Sequence, residues 1–145
     1  MDKLIAVLNG ERSPGLYRVT TEVNIDELSS LCQEYGFQLF YINGKNVTSK
    51  AEFFKAYAET MNFPDYFGYN WDAFNDCIND LNWLSADEYI LLYTQPESFA
   101  NNNPSEWSIA LDVLQEAVEY WRETDTPMYV LLKTDSLALD ELEVL

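Results

Sequence analysis

Along the chain the spacing of apolar residues switches between two regimes. Residues 89–93, Tyr-Ile-Leu-Leu-Tyr, are apolar without a break, the pattern of a parallel strand covered on both faces. Residues 37–42, ended by Asn43-Gly44, and residues 128–132 read the same way, and 16–19 form a shorter strand candidate after Ser13-Pro14-Gly15. Between these runs the period is helical. Residues 25–35 bring Ile25, Leu28, Leu31 and Cys32 onto one face and stop at Gly36, a residue suited to the left-handed end of a helix. Residues 49–61 begin with Ser49 and Glu52 at capping-box spacing and carry Phe53, Phe54, Tyr57 and Met61 inward. Residues 70–81 and 105–124 complete the helices, the last with Ile109, Val113, Ala117, Tyr120 and Trp121 as inward candidates.

Strand and helix in alternation call for crossovers between parallel neighbours, so the pattern predicts one α/β domain with helices packed over a parallel sheet. Residues 4–8 are open to an edge strand, and the acidic tail after Lys133 to a short helix or a frayed end. The pattern alone decides neither.

Charge narrows the possible partners. The 25 acidic residues against 8 basic ones leave a formal charge of −17, and from Ala56 to Trp121 twelve acidic residues occur with no basic one. Such a segment repels phosphate backbones and anionic membranes and attracts basic proteins. Direct nucleic-acid binding is not expected, and no apolar run has membrane-spanning length. Histidine is absent, which excludes Ser-His-Asp, Cys-His and zinc-His chemistries. Cys32 and Cys77 lack Cys-x-x-Cys spacing and read as reduced, buried thiols. Without a basic leader or a cleavage site at the N-terminus, a cytoplasmic protein without a cofactor is expected.

One segment stands out, residues 64–80, Pro-Asp-Tyr-Phe-Gly-Tyr-Asn-Trp-Asp-Ala-Phe-Asn-Asp-Cys-Ile-Asn-Asp. An aromatic, Gly-containing loop runs into a helix with Asn70 as its N-cap. At helical spacing Asp76 lies about 40° and Asp80 about 80° from Asp72, with Asn75 and Asn79 beside them. Trp71, Phe74, Cys77, Ile78 and Leu81 fall on the other side. Like charges one turn apart cost a helix about 0.2–0.5 kcal/mol per pair, a cost that an oppositely charged partner would offset. Taken alone, such a face is more often merely solvated.

The residues Tyr66, Gly68, Asn70, Asp72, Ala73, Asp76 and Cys77, at these spacings, resemble the barstar-like family of intracellular ribonuclease inhibitors. The resemblance extends in order over residues 37–133 through the strands and helices around that segment. It implies a three-stranded parallel sheet flanked by helices, here extended by an N-terminal strand–helix unit. The expected divisions are 1–36 for that extension, packed on the domain, 37–133 for the barstar-like domain and 134–145 for an acidic tail. The function implied is to plug the active site of a basic, barnase-like ribonuclease with the acidic helix and its preceding loop. By position, Tyr66 is the loop aromatic, Gly68 lies in the turn, Asn70 and Asp72 are contacts at the helix start, and Asp76 occupies the enzyme's phosphate site. Glu119 and Glu123 stand where the family has acidic contacts on its last helix. The family's aspartate is itself a standard example of an interface hot spot, so the weight on Asp76 comes from the family.

There are departures. Asn75 replaces a Trp before the key aspartate, Leu81 stands where the family has an aromatic, and Asp80 is an added carboxylate. Two other readings compete with inhibition. An acidic module or nucleic-acid mimic would bind a basic protein that is not a ribonuclease. A hydrolase would hold Mg²⁺ or Ca²⁺ with Asp72, Asp76 and Asp80, yet these span two helical turns and lack an EF-hand loop. No metal site and no enzymatic activity are expected.

Overall fold

In the computed structural model, which describes residues 1–136, 139 and 141–145, the strands form one wholly parallel sheet. The elements in order are α1 (Asp2–Leu8), β1 (Leu16–Val19), α2 (Ile25–Tyr35), β2 (Phe37–Asn43), α3 (Lys50–Thr60), α4 (Trp71–Ile78), β3 (Glu88–Thr94), α5 (Glu97–Asn102), α6 (Pro104–Arg122) and β4 (Met128–Lys133). The strand order is β1-β4-β3-β2. β2, β3 and β4 are the three strands expected for the domain, and β1 joins beside β4 with Leu16 opposite Val130 and Val19 opposite Lys133. The sheet therefore has four strands.

Side chains alternate across a strand, so the unbroken apolar runs serve two cores at once. In β3, Tyr89, Leu91 and Tyr93 enter the larger core under α3, α4, α5 and α6, while Ile90 and Leu92 enter a smaller one under α1 and α2. β4 divides the same way, with Met128, Val130 and Leu132 on one face and Tyr129 and Leu131 on the other. Leu4, Val7, Leu8, Leu28 and Cys32 of the first two helices cover the second face. Burial pushes the Cys32 thiol up to about 11, consistent with a small core side chain rather than a reactive one.

The centre of the larger core is aromatic. Phe53 has the rings of Phe54, Tyr57, Trp71, Phe74, Tyr93 and Phe99 around it, with centroids 4.3 to 6.2 Å away. Its helix starts as expected: the Glu52 N–H donates to Ser49 Oγ at 3.2 Å, and Glu52 Oε1 accepts from the Thr48 N–H at 3.1 Å. After β2 the chain turns tightly at Gly44, whose N–H donates to the Thr94 carbonyl at 2.8 Å. A Cβ there would collide with that same carbonyl. Gly36, at φ 82°, ends α2 as the spacing predicts.

Four expectations change. Residues 4–8 belong to a helix, not an edge strand, because Leu4, Val7 and Leu8 lie on one helical face against the smaller core. The sheet edge beside β1 goes instead to the C-terminal tail. The Arg18 N–H donates to the Glu143 carbonyl at 2.7 Å, the Leu145 N–H donates to Arg18 O at 3.0 Å, and Leu145 is buried. Of the tail, residues 137, 138 and 140 lie outside the described residues. Third, α5 escaped the sequence reading because six residues are too few to display a period. Fourth, Ile109 and Tyr120 of α6 are exposed, at 42% and 48%. The buried stripe of that helix is Trp107, Ala110, Val113, Leu114, Ala117, Val118 and Trp121, and these two residues lie outside it.

Leu28→Ala should cost about 2–5 kcal/mol in a urea titration, since the side chain is fully buried between α2 and the sheet. A cost below about 1 kcal/mol would mean that the second face is only loosely covered. The Thr48 and Ser49 donors hold the Glu52 carboxyl below its ordinary range. A depressed carboxylate stabilises the fold above its unfolded pKa, and that contribution disappears as pH falls through the folded value. The stability gap between wild type and Glu52→Gln should therefore narrow on acidification from neutral pH. A gap independent of pH in urea midpoints would refute the ionic capping.

Candidate functional site

α4 begins where Asn70 turns the loop into a helix. Its Oδ1 accepts from the Ala73 N–H at 2.8 Å, and its Nδ2 donates to the Gly68 carbonyl at 3.3 Å. Both ends of the amide are thus committed to shaping the loop and helix start. Asn70 positions the site more than it faces out of it. Gly68 is exposed, and a Cβ there would come within 3.2 Å of the Asn70 amide. Tyr69 takes the left-handed conformation at φ 53°, which is uncommon for a bulky residue. Its ring packs on buried Phe67 at 4.7 Å, and that contact helps to hold the turn. Tyr66 stands clear at 74% exposure and Tyr69 at 58%.

The helix itself is short and clamped at both ends to α6. At its start the Trp71 indole N–H donates to Glu106 Oε2 at 2.7 Å, and at its end the Trp121 indole N–H donates to the Ile78 carbonyl at 2.9 Å. Phe74, Cys77 and Ile78 are buried beneath it. Burial raises the Cys77 thiol, and Asp76 and Asp80 raise it further, so it stays protonated near neutrality.

Asp72 and Asp76 project from the exposed side, and neither enters any of the ion pairs among the described residues. Asn75 is half-buried and accepts from Asn79 Nδ2 at 3.2 Å.

The expected helix over 70–81 ends early. α4 stops at Ile78, Asn79 caps it, and the Asp80 N–H turns back to the Cys77 carbonyl at 3.1 Å. Leu81, at φ 48°, is buried. Asp80 therefore lies in the turn after the helix, and the acidic arc read at helical spacing contains only Asp72 and Asp76. Leu81 plugs the core beneath the turn, and this inward pull ends the helix.

Glu119 and Glu123 are not brought to α4. Glu119 Oε1 and Oε2 both accept from Arg122 Nη1 at 2.8 Å, and Arg122 Nη2 donates to the Pro14 carbonyl at 2.7 Å. This places Glu119 on a cleft of about 920 Å³ between α6 and residues 11–17. It is turned about 140° around the helix from Glu106, which meets α4. Glu123 is the exposed C-cap of α6. No local pattern signals the Arg122 bridge, which joins segments 108 positions apart.

Among the described residues, no group of three or more Asp, Glu, Cys or His is placed to hold a metal ion, and no helix is long and apolar enough to cross a membrane. The site is thus an exposed surface, with two carboxylates that form no ion pair among the described residues on a braced helix and two tyrosines on the loop before it.

No curated protein matches the sequence. Among solved structures, the Aeropyrum pernix ORC1 protein in complex with DNA is similar, with a TM-score of 0.63 at 13% identity over 96% of this chain and 38% of that one. At this identity the likeness is one of fold, and the chain spans well under half of that protein's length. The family model described as Barstar (barnase inhibitor) matches residues 37–133, from the first residue of β2 to the last of β4, with the loop and α4 inside it. On that match, across most of the fold and the whole of the candidate site, the chain belongs to the barstar family.

Proposed function

We propose that the protein inhibits a basic, barnase-like ribonuclease by seating α4 and the Tyr66 loop in the enzyme's active site. Asp76 carries this reading: it is exposed and enters no ion pair among the described residues, on a helix fixed at both ends within the residues that match the family. Ribonucleases hold phosphate with cationic side chains, so a carboxylate on a rigid support can take the phosphate's place with little ordering entropy to lose. Charge-assisted bonds from arginine to such a carboxylate are short and directional.

The other residues take graded roles. Asp72 adds charge at the helix start, Tyr66 supplies apolar area with few rotatable bonds, and Asn70 and Gly68 shape the loop. Asn75, tied to Asn79, lines the edge of the contact. Glu119 and Glu123 contribute at long range, through the field that speeds encounter with a basic enzyme. The protein acts by occupancy, without catalysis, cofactor or metal, and a cytoplasmic location suits the protection of a cell's own RNA.

A second reading, a basic partner that is not a ribonuclease, draws support from position 81. Where the family has an aromatic, the buried Leu81 offers a partner nothing, so the contact surface differs from that of a barnase inhibitor.

A ribonuclease inhibition assay with barnase separates the residues. Asp76→Ala should raise the inhibition constant about thirtyfold or more, and Asp80→Ala less than about threefold. Equal losses would mean that the face acts as diffuse charge, and the assignment of Asp76 would fail. Raising the salt concentration should slow association much more than it speeds dissociation, as stopped-flow fluorescence would record.

A further inference from the structure

The chain leaves the sheet in two directions. After β2 and β3 it enters helices on the side of the larger core, whereas after β1 it enters α2 on the side of the smaller one. β4 lies between β1 and β3, so the two sets of connections part over its carboxyl end. In open parallel sheets such a parting leaves a crevice beyond the strand ends, where small ligands bind. This chain has a crevice of about 460 Å³ there, lined by the segment leading into α2 and by the ends of β2, β3 and β4. Within the matched residues 37–133 the connections run to one side only. The crevice therefore exists because residues 1–36 add β1 and α2.

Its floor is the last row of the sheet. Asn43, Thr94 and Lys133 stand side by side across three strands, a polar row at the end of a face made apolar by Leu92 and Leu131. The Lys133 side chain is only 13% exposed, and its Nζ meets Asp135 Oδ1 at 3.3 Å, a carboxylate that is itself 80% exposed. A bridge to so exposed a carboxylate holds weakly, so the carboxylate of a ligand can take the place of Asp135. Lys45 supplies a second cation. Glu22 and Glu97 supply the opposite charge, and the Thr134 hydroxyl fixes Glu97 by donating to its Oε1 at 2.6 Å. Half-buried Val23, Ile25 and Tyr41 complete the lining with apolar surface.

We infer that the crevice binds a free α-amino acid with an apolar side chain, its carboxylate on Lys133 and its ammonium toward Glu22 and Glu97. Both signs of charge line one confined space, and a ligand carrying a single sign would leave groups of the other desolvated without a partner. A zwitterion answers both. None of the lining residues belongs to α4 or to its loop, so the site is separate from the proposed ribonuclease contact and does not depend on that reading.

A ¹⁵N-resolved NMR titration of the full chain with L-leucine, up to about 10 mM, tests the site. Amide shifts should concentrate in residues 22–25, 43–45, 94–97 and 133–136 and saturate with a single Kd. N-acetyl-L-leucine lacks the ammonium, L-leucinamide the carboxylate and glycine the side chain, and each should bind about tenfold more weakly or worse. Lys133→Met, which keeps the apolar stem, should lose about tenfold, and Asp135→Asn, at an exposed position, should gain about threefold by releasing Lys133. Urea midpoints check that both variants fold. No saturable shift at these residues in the wild type would overturn the site. Equal binding of N-acetyl-L-leucine or of L-leucinamide would overturn the zwitterion. Unchanged or weaker binding by Asp135→Asn would overturn the placement of the carboxylate on Lys133, whether or not Lys133→Met folds.

Discussion

The structure depends on a parallel sheet whose central strands are apolar on both faces, and which must be covered on both. β3 and β4 have no side that tolerates water: Tyr89, Leu91 and Tyr93 point one way, Ile90 and Leu92 the other. Parallel strands also require long connections, and those connections supply the covering layers. Three of the four strands and four helices account for one face. The other would be bare without α1 and α2, so residues 1–36 complete the fold.

That constraint also fixes the candidate site. α4 is only eight residues long, too short to hold together alone in water. Its stability comes from below, where Phe74 packs in the ring cluster around Phe53, and from the side, where two tryptophan N–H groups tie its ends to α6. Phe74, Cys77 and Ile78 are thereby buried, and the side chains of the helix left fully outward are the carboxylates of Asp72 and Asp76. A helix held this firmly can keep Asp72 and Asp76 one turn apart with no ion-pair partner among the described residues, because the mutual repulsion of about 0.2–0.5 kcal/mol is small beside the packing.

Within the site, local geometry and the bonds already made separate residues that chain position alone treats as equivalent. Asp72, Asp76 and Asp80 recur every four residues, yet the helix ends before the third. Asn70 and Tyr66 both precede the helix, yet one is spent on capping and the other is free. Glu119 and Tyr120 are neighbours in sequence, but one is tied to Arg122, which reaches the N-terminal segment, while the ring of the other stands half exposed beside Trp121. Which side chains can meet a partner is decided by what their neighbours already hold.

By itself the sequence determined the class and order of nearly every long element, the start of α3 at Ser49 and of α4 at Asn70, the stop at Gly36 and the double-faced burial of β3. These features are local: a capping side chain, a left-handed glycine and a hydrophobic period act within a few residues and leave their mark there. The tertiary structure alone decided that residues 2–8 coil against α2, that the C-terminal tail takes the free edge of β1, that α4 ends at Ile78, and that Ile109 and Tyr120 face out. Each of those outcomes turns on which distant segment reaches a surface first. A period shows that a helix has an apolar side, but how far around the helix burial extends is set by the elements packed against it.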